Sequence, residues 1–405
     1  MGLIAVTSGD PCGIGPEVAL KALKVTSRRT SAGLVVIGDL AVFEEAAGRL
    51  RQRLPAWRVV RSFENWLDCE PRSGTGRVLA GPAAGRPLAG PSARCGSSRS
   101  VASPRHPPRK MAQYPGLAFL DCAHHARFVP GRPSAAAGRA SLAYLERALD
   151  LWRSGCVQAL VTGPVTKWSI RLSTPSFVGQ TEYLARATGS RAVVMMFASE
   201  RLRVALLTRH VPLRRVAAAI TTPLVRSTVR LTAEALRSQF GIRTPRLAIC
   251  GVNPHAGEGG RSDGEESAVM QPALRALRRE GIRCDGPLAA DGLFASAANY
   301  DAIICAYHDQ GLIPFKMGAR DRGCQLTLGL PFVRTSPDHG SALDIAGRGI
   351  AEPGSMVYAL RLARRLSCQH TAVSTRQTAR SRPNLQSAIR NSQFAVRRNA
   401  PPRTC

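Results

Sequence analysis

Short apolar runs alternate with longer amphipathic ones along most of the chain, the pattern of a parallel α/β fold. Runs of Val, Ile, Leu and Ala bounded by Gly, Pro or polar turns predict strands at Leu3–Thr7, Leu34–Gly38, Ala159–Thr162, Ala192–Phe197, Val204–Thr208, Leu247–Gly251 and Ala302–Ala306. Apolar residues at helical spacing predict helices over Pro16–Leu23, Ser141–Arg153, Leu224–Phe240 and Glu265–Arg279. Pro16 and Pro223 suit first-turn positions, where the missing N–H has no partner to lose. The rhythm fails at residues 71–115 and again at 367–405, where Gly, Pro, Ser and Arg crowd without periodicity. Both segments are expected to be disordered, or else altered sequence, which leaves one domain over residues 1–366, interrupted by an irregular basic insert at 71–115, and a tail at 367–405.

The 405 residues suffice for a large core, as one α/β unit or two subdomains. A formal net charge of +29 suggests a polyanionic partner until its distribution is considered. No acid lies between Glu70 and Asp121 or after Glu352, while arginines fill both stretches. The excess therefore sits largely in the two irregular segments, which lack the interleaved aromatics or basic helix of a nucleic-acid binder. Eleven cysteines stand singly with no C-x-x-C pair, the usage of a reducing compartment. No apolar run spans a bilayer, and Met1-Gly-Leu-Ile-Ala-Val runs directly into a turn like a buried first strand rather than a signal peptide. A cytoplasmic protein without membrane or nucleic-acid partners is expected.

In open parallel sheets, ligands bind beyond the carboxyl ends of the strands. Four predicted strands end in chemically loaded turns: Val161-Thr-Gly-Pro-Val-Thr-Lys167, Leu207-Thr-Arg-His-Val-Pro-Leu213, Cys250-Gly-Val-Asn-Pro-His-Ala-Gly-Glu-Gly-Gly260 and Tyr307-His-Asp-Gln-Gly311. Three of these place a histidine near a strand end, and neutral imidazoles suit Zn²⁺, Co²⁺ or Fe²⁺ with positions left open for substrate. Three separate loop histidines are the plainer alternative. Lys316 and Arg334 sit among Gly- and Pro-shaped backbone, as equipment for a phosphate or carboxylate. Ser8-Gly-Asp-Pro-Cys-Gly-Ile-Gly-Pro-Glu17 is a glycine-rich strand-to-helix turn, yet it lacks the third glycine of a dinucleotide fingerprint.

These strings, together with Gly179-Gln-Thr-Glu182, His210-Val-Pro-Leu213 and Arg334-Thr-Ser-Pro-Asp-His-Gly340, resemble in order the motifs of the 4-hydroxythreonine-4-phosphate dehydrogenase family, over residues 1–66 and 120–360. The resemblance implies an isocitrate/isopropylmalate dehydrogenase-like fold, three-layer α/β/α with two subdomains and a cleft between them. It implies a divalent metal (Zn, Mg or Co) on His210, His255 and His308, and a phosphorylated substrate held by Gln180, Thr181, Lys316, Gln325 and Arg334. It further implies a homodimer whose active sites are built from both subunits. His339-Gly-Ser-Ala-Leu-Asp344-Ile-Ala-Gly347-Arg-Gly349 is similar to the cofactor loop of isopropylmalate dehydrogenases, which points to NAD at Gly340, Asp344 and Gly347.

The reaction so implied is NAD-dependent oxidation of 4-phosphooxy-L-threonine to a 3-oxo acid that loses CO₂ to give 3-amino-2-oxopropyl phosphate, in vitamin B6 synthesis. Asp309, Lys167 or a metal-bound hydroxide is the candidate base. The chain departs from the family where Gln180 replaces a histidine and Gln325 an asparagine, and where Arg261 interrupts a Gly-Gly-His string. Gln180 can donate a hydrogen bond to phosphate but cannot carry charge. Three other readings stay open: a dehydrogenase of erythronate or threonate 4-phosphate, a cis-dihydrodiol dehydrogenase, and an inactive metal-binding homologue.

Overall fold

The computed structural model describes residues 2–26, 33–61, 116–260 and 264–380. Twelve strands form one sheet: β1 (Leu3–Thr7), β2 (Leu34–Gly38), β3 (Arg58–Val60), β4 (Leu117–Asp121), β5 (Val157–Thr162), β6 (Val194–Ser199), β7 (Arg203–Leu206), β8 (Leu247–Cys250), β9 (Cys284–Leu288), β10 (Ala302–Cys305), β11 (Gly323–Leu328) and β12 (Val333–Pro337). Their order across the sheet is β3-β4-β2-β1-β5-β12-β11-β6-β7-β10-β8-β9.

Alternate residues of β1 explain the layers. Ile4 and Val6 enter one buried cluster, Leu3 and Ala5 another on the opposite face. A strand apolar on both faces must be covered on both, and helices do so. The first face packs against α1 (Gly15–Thr26), and the second against α3 (Ala135–Arg153), with α2 (Leu40–Arg49) following β2. The remaining helices are α4 (Lys167–Arg171), α5 (Gln180–Thr188), α6 (Val216–Ala219), α7 (Thr222–Ser238), α8 (Gln271–Arg279), α9 (Ala290–Ala295), α10 (His308–Ala319) and α11 (Gly354–Arg380). Ser134 and Thr221 cap α3 and α7 by accepting from the Ala137 and Leu224 amides.

The expected α/β fold is present, but the sheet is mixed rather than parallel. β11 runs antiparallel to both β12 and β6, and β6 is antiparallel to β7. Two parallel blocks of opposite polarity result: β3, β4, β2, β1, β5 and β12 in one, and β7, β10, β8 and β9 in the other. Strand ends that a parallel sheet would align therefore belong to opposed blocks. The predicted helix Glu265–Arg279 begins as a π-helical turn, Glu266–Met270, before α8.

Two other expectations change. The Gly311-to-Lys316 stretch, read as turn-shaped backbone, lies inside α10 with Pro314 accommodated in the helix. Helix α11 continues to Arg380, past residue 367 where the tail was expected to begin. Nothing between Gly354 and Arg380 is glycine or proline, so no residue breaks the helix once started. Residues 71–115 and 381–405 lie outside the described residues. Among the described residues no helix is long and apolar enough to cross a membrane.

Candidate active site

The carboxyl ends of β7, β10 and β8 lie side by side, with Leu206 paired to Cys305 and Ile304 to Ile249. Each opens into a histidine-bearing segment. His210 follows β7, His308 begins α10, and His255 lies in the turn after β8. The His210 and His308 rings face one another, centroids 5.8 Å apart. Burial, then the charges of Lys167 and His308, hold His210 below the ordinary histidine range, with Glu182 opposing. His210 is therefore neutral near pH 7, with a lone pair to offer. His308 Nδ1 lies 2.7 Å from Asp309 Oδ1, an arrangement that turns Nε2 into the free ring nitrogen.

His255 is exposed, in the left-handed region at φ 55°. Among the described residues no group of three or more His, Cys, Asp or Glu side chains stands close enough to hold a metal. The expected convergence of three imidazoles is thus realised within the chain for two of them.

The segment carrying His255 is held by a residue that the sequence reading missed. Glu266 is buried, its Oε1 accepting the Val252 and Asn253 amides at 2.7 and 2.8 Å and its Oε2 the Asn253 side chain at 3.0 Å. Burial alone would raise this carboxyl, but the hydrogen bonds from Asn253 and Val252 outweigh it and leave it below the ordinary glutamate range. A carboxylate favoured in the folded state stabilises above its unfolded pKa, and that stability disappears as pH falls through the folded value. Glu266→Gln is therefore expected to cost about 1–3 kcal/mol at pH 7. The difference in Tm between variant and wild type should shrink in acid below about pH 4. Thermal scans at pH 7 and pH 3.5 check both statements, and a gap that widens in acid would refute them.

Arg334, on β12, is fully buried. Its Nε and Nη2 donate to Thr162 Oγ1 at 3.1 and 2.7 Å, Nη1 donates to Thr327 Oγ1 at 2.9 Å and Thr181 Oγ1 at 3.4 Å, and Nη2 also donates to Gln180 Oε1 at 3.0 Å. Every partner is neutral, so burial presses the guanidinium down to about 10, with Glu182 opposing from nearby. A buried cation without a carboxylate in its hydrogen-bond shell is suited to an anionic ligand. The amino end of α5, where Gln180 and Thr181 lie, adds backbone N–H groups of the same polarity. Glu182, one residue past Thr181 on α5, pairs with Arg209 at 3.4 Å, so the helix that carries two of the Arg334 partners is tied to the segment that carries His210.

The other predicted substrate contacts divide. Gln180 engages both ends of its amide within the protein, Nε2 on the Gly163 carbonyl and Oε1 on Arg334, so it positions the guanidinium. Gln325 joins the same network through Thr327 and Ser336. Lys316 lies outside it: exposed on α10, it donates to the Asp338 carbonyl at 3.2 Å. Lys167, at the start of α4, stands within electrostatic reach of His210 and beside Gly179, where an added Cβ would lie 3.7 Å from its Nζ. Thr162 and Thr327 escaped the sequence reading, because a threonine in a strand carries no signal of its own.

The Gly340–Gly349 loop packs on the turn between β1 and α1. The Ile14 amide donates to the Ser341 carbonyl, and a Cβ on Gly13 would come within 2.8 Å of that oxygen. Lys21 Nζ holds the Gly349 and Ala351 carbonyls, while Glu17 accepts the Ala351 amide. Between loop, turn and α2 lies a shallow open groove lined by Pro16, Glu17, Ala46, Leu50, Pro130 and Gly347. Gly340 and Asp344 are exposed on the same loop.

The family model described as pyridoxal phosphate biosynthetic protein PdxA matches residues 34–363. A 4-hydroxythreonine-4-phosphate dehydrogenase from Chromobacterium violaceum is 41% identical over 367 residues, 90% of this chain and 97% of that protein. The crystal structure of a 4-hydroxythreonine-4-phosphate dehydrogenase from Klebsiella pneumoniae matches with a TM-score of 0.70 at 29% identity, covering 91% of this chain and all of the other. A terephthalate 1,2-cis-dihydrodiol dehydrogenase from Burkholderia xenovorans is also similar, at a TM-score of 0.55 and 29% identity over 89% of this chain and 97% of that one. Shared sequence over nine-tenths of the chain and a shared fold lead to one assignment: the chain belongs to the PdxA family of pyridoxal phosphate biosynthetic proteins.

Proposed function

We propose that the chain is an NAD-linked, divalent-metal-dependent dehydrogenase that oxidises 4-phosphooxy-L-threonine to its 3-oxo acid, which loses CO₂ to give 3-amino-2-oxopropyl phosphate. The observation that carries this reading is the buried Arg334, without a carboxylate in its hydrogen-bond shell, on a network joined through the Glu182–Arg209 pair to the segment of His210, whose ring faces His308. The names of the relatives supply the substrate.

His210 and His308 are the residues that would hold the metal, with His255 offered by a second copy of the chain. Imidazole nitrogens fit Zn²⁺ or Co²⁺ better than Mg²⁺, which prefers oxygen donors. Bound there, the cation would supply Lewis acidity to the substrate hydroxyl and lower its pKa. Asp309 is engaged by His308 and orients that ring, so its role shifts from candidate base to support. Lys167, in its neutral form, would take the hydroxyl proton. Arg334 anchors the phosphate at a distance from the reacting carbon, so its binding energy orients the substrate. Gly340, Asp344 and Gly347 of the Gly340–Gly349 loop are the residues that would hold NAD, which when bound would supply the hydride acceptor. Oxidation of the secondary alcohol moves two electrons and one hydrogen to NAD⁺ and releases one proton; the β-keto acid then breaks its bond to the carboxylate carbon, CO₂ leaves, and the electron pair stays as an enolate that takes up one proton at carbon.

The test is a panel of hydroxythreonine, erythronate and threonate phosphates and a cis-dihydrodiol, with NAD⁺ and added Zn²⁺ or Mg²⁺, followed by NADH absorbance. Metal-stimulated NADH formation from hydroxythreonine phosphate is the expected result. Turnover confined to a sugar-acid phosphate moves the substrate assignment, turnover confined to the dihydrodiol removes the phosphate reading, and stoichiometric metal without any turnover marks a binding homologue.

A further inference from the structure

The ladder of a parallel sheet ends with its strands, and the turns beyond have no regular hydrogen bonds to hold them in register. At the ends of β7, β10 and β8 two side chains extend that ladder. Both act through the Ala306 peptide, two residues before His308. Its carbonyl accepts the Thr208 amide at 3.2 Å and the Thr208 hydroxyl at 2.7 Å, two residues before His210. Its N–H donates to Gln310 Oε1 at 2.7 Å, and Gln310 Nε2 donates in turn to the Gly251 carbonyl at 2.8 Å, at the root of the segment carrying His255. A side-chain amide offers the donor and acceptor of a peptide group. Gln310 thus sits between β10 and β8 as a surrogate peptide, adding one rung where the backbone can add none. Its orientation follows from its partners, since the flipped amide would set NH₂ against N–H and oxygen against a carbonyl.

We infer that Thr208 and Gln310 are positioning residues that fix the three histidine-bearing segments against one another. Neither touches the proposed metal. They set the separation and heading of the segments from which the ligands project, and this rests on the metal reading given above. Thr208 is buried and Gln310 is half-buried with both ends of its amide engaged, so neither has freedom to serve a substrate.

The experiment titrates ZnCl₂ into the metal-stripped full chain by calorimetry, with Tm as the readout of folding and inorganic phosphate binding as the readout of the Arg334 pocket. Thr208→Val keeps the side-chain shape and loses the hydroxyl, and is expected to weaken zinc binding about tenfold, with Thr208→Ser restoring it. Gln310→Leu removes both bonds and is expected to weaken zinc binding about 10–100-fold with phosphate affinity unchanged. A folded Thr208→Val protein with wild-type zinc affinity overturns the inference, as does equal weakening of zinc and phosphate binding. Should Gln310→Leu fail to fold, the valine and serine variants at 208 decide alone. Wild-type protein that takes up no zinc overturns the metal reading itself, a failure distinct from unchanged affinity in a variant.

Discussion

Replacing Arg334 by methionine is expected to lower kcat/KM for the phosphorylated substrate by about 10²–10³-fold while lowering Tm only modestly. The two halves of this result have one cause. The guanidinium is buried among Thr162, Thr181, Thr327 and Gln180, all neutral, so its desolvation is offset by hydrogen bonds but by no ion pair within the shell. Its pKa, lowered to about 10, is the mark of that imbalance. An apolar side chain of similar length removes the desolvation cost of the buried charge, which offsets part of the hydrogen bonds lost by Thr162, Thr327 and Gln180 and leaves a net cost of about 1–3 kcal/mol. The same charge is what a phosphate needs, and its truncation leaves the dianion to be desolvated alone. Arg334→Lys should not restore activity, since one ammonium cannot face Thr162, Thr327 and a ligand together as the planar fork does. Steady-state kinetics and a thermal scan on both variants suffice. Wild-type kcat/KM in the methionine variant would remove Arg334 from the substrate site, and a large fall in Tm would make it a structural residue.

The fold and the site were legible to different depths. β1 and β2 match their predicted bounds residue for residue, because a continuous apolar run between turn signals leaves no other reading. β11 and β12 were not predicted as strands, and the reversal of the sheet at β11 and β6 was not foreseen. Local periodicity records how a strand is buried but not which way its neighbour runs. Helix α10 was hidden by Gly311 and Pro314, which read as turn residues in isolation and are tolerated here because Gly311 meets Val204 and Cys305 at a distance only glycine allows. Of the site, the histidines, Arg334 and Gln180 stood out as chemically distinctive residues in recognisable strings. Thr162, Thr327, Thr208, Gln310 and Glu266 did not, since each works through a few hydrogen bonds whose partners the local sequence does not announce. The acidic pair Glu265-Glu266 after the Asn253 turn was the one weak signal available, and it gave no partner.

His210→Ala and His255→Ala, each alone, are expected to lose zinc retention and turnover together, yet to regain activity when co-expressed. The prediction starts from a geometric shortfall: His210 and His308 face each other at 5.8 Å, and no third His, Cys, Asp or Glu among the described residues completes a metal-holding group with them. Two imidazoles alone bind a divalent ion weakly, and His255, exposed on a turn held rigid by Glu266, projects from the same edge of the sheet. A symmetric dimer satisfies both facts if each site takes His210 and His308 from one subunit and His255 from the other. In a heterodimer of the two variants, one site then lacks both ligands and the other lacks none. Random assortment makes half the dimers mixed, with one intact site of two, so activity should return to about a quarter of wild type. Bound zinc should rise in the same proportion, which separates restored sites from a trace of contaminating enzyme. If all three ligands instead belonged to one subunit, every site in the mixture would lack a histidine, and the co-expressed protein would remain as inactive and as metal-poor as its parents.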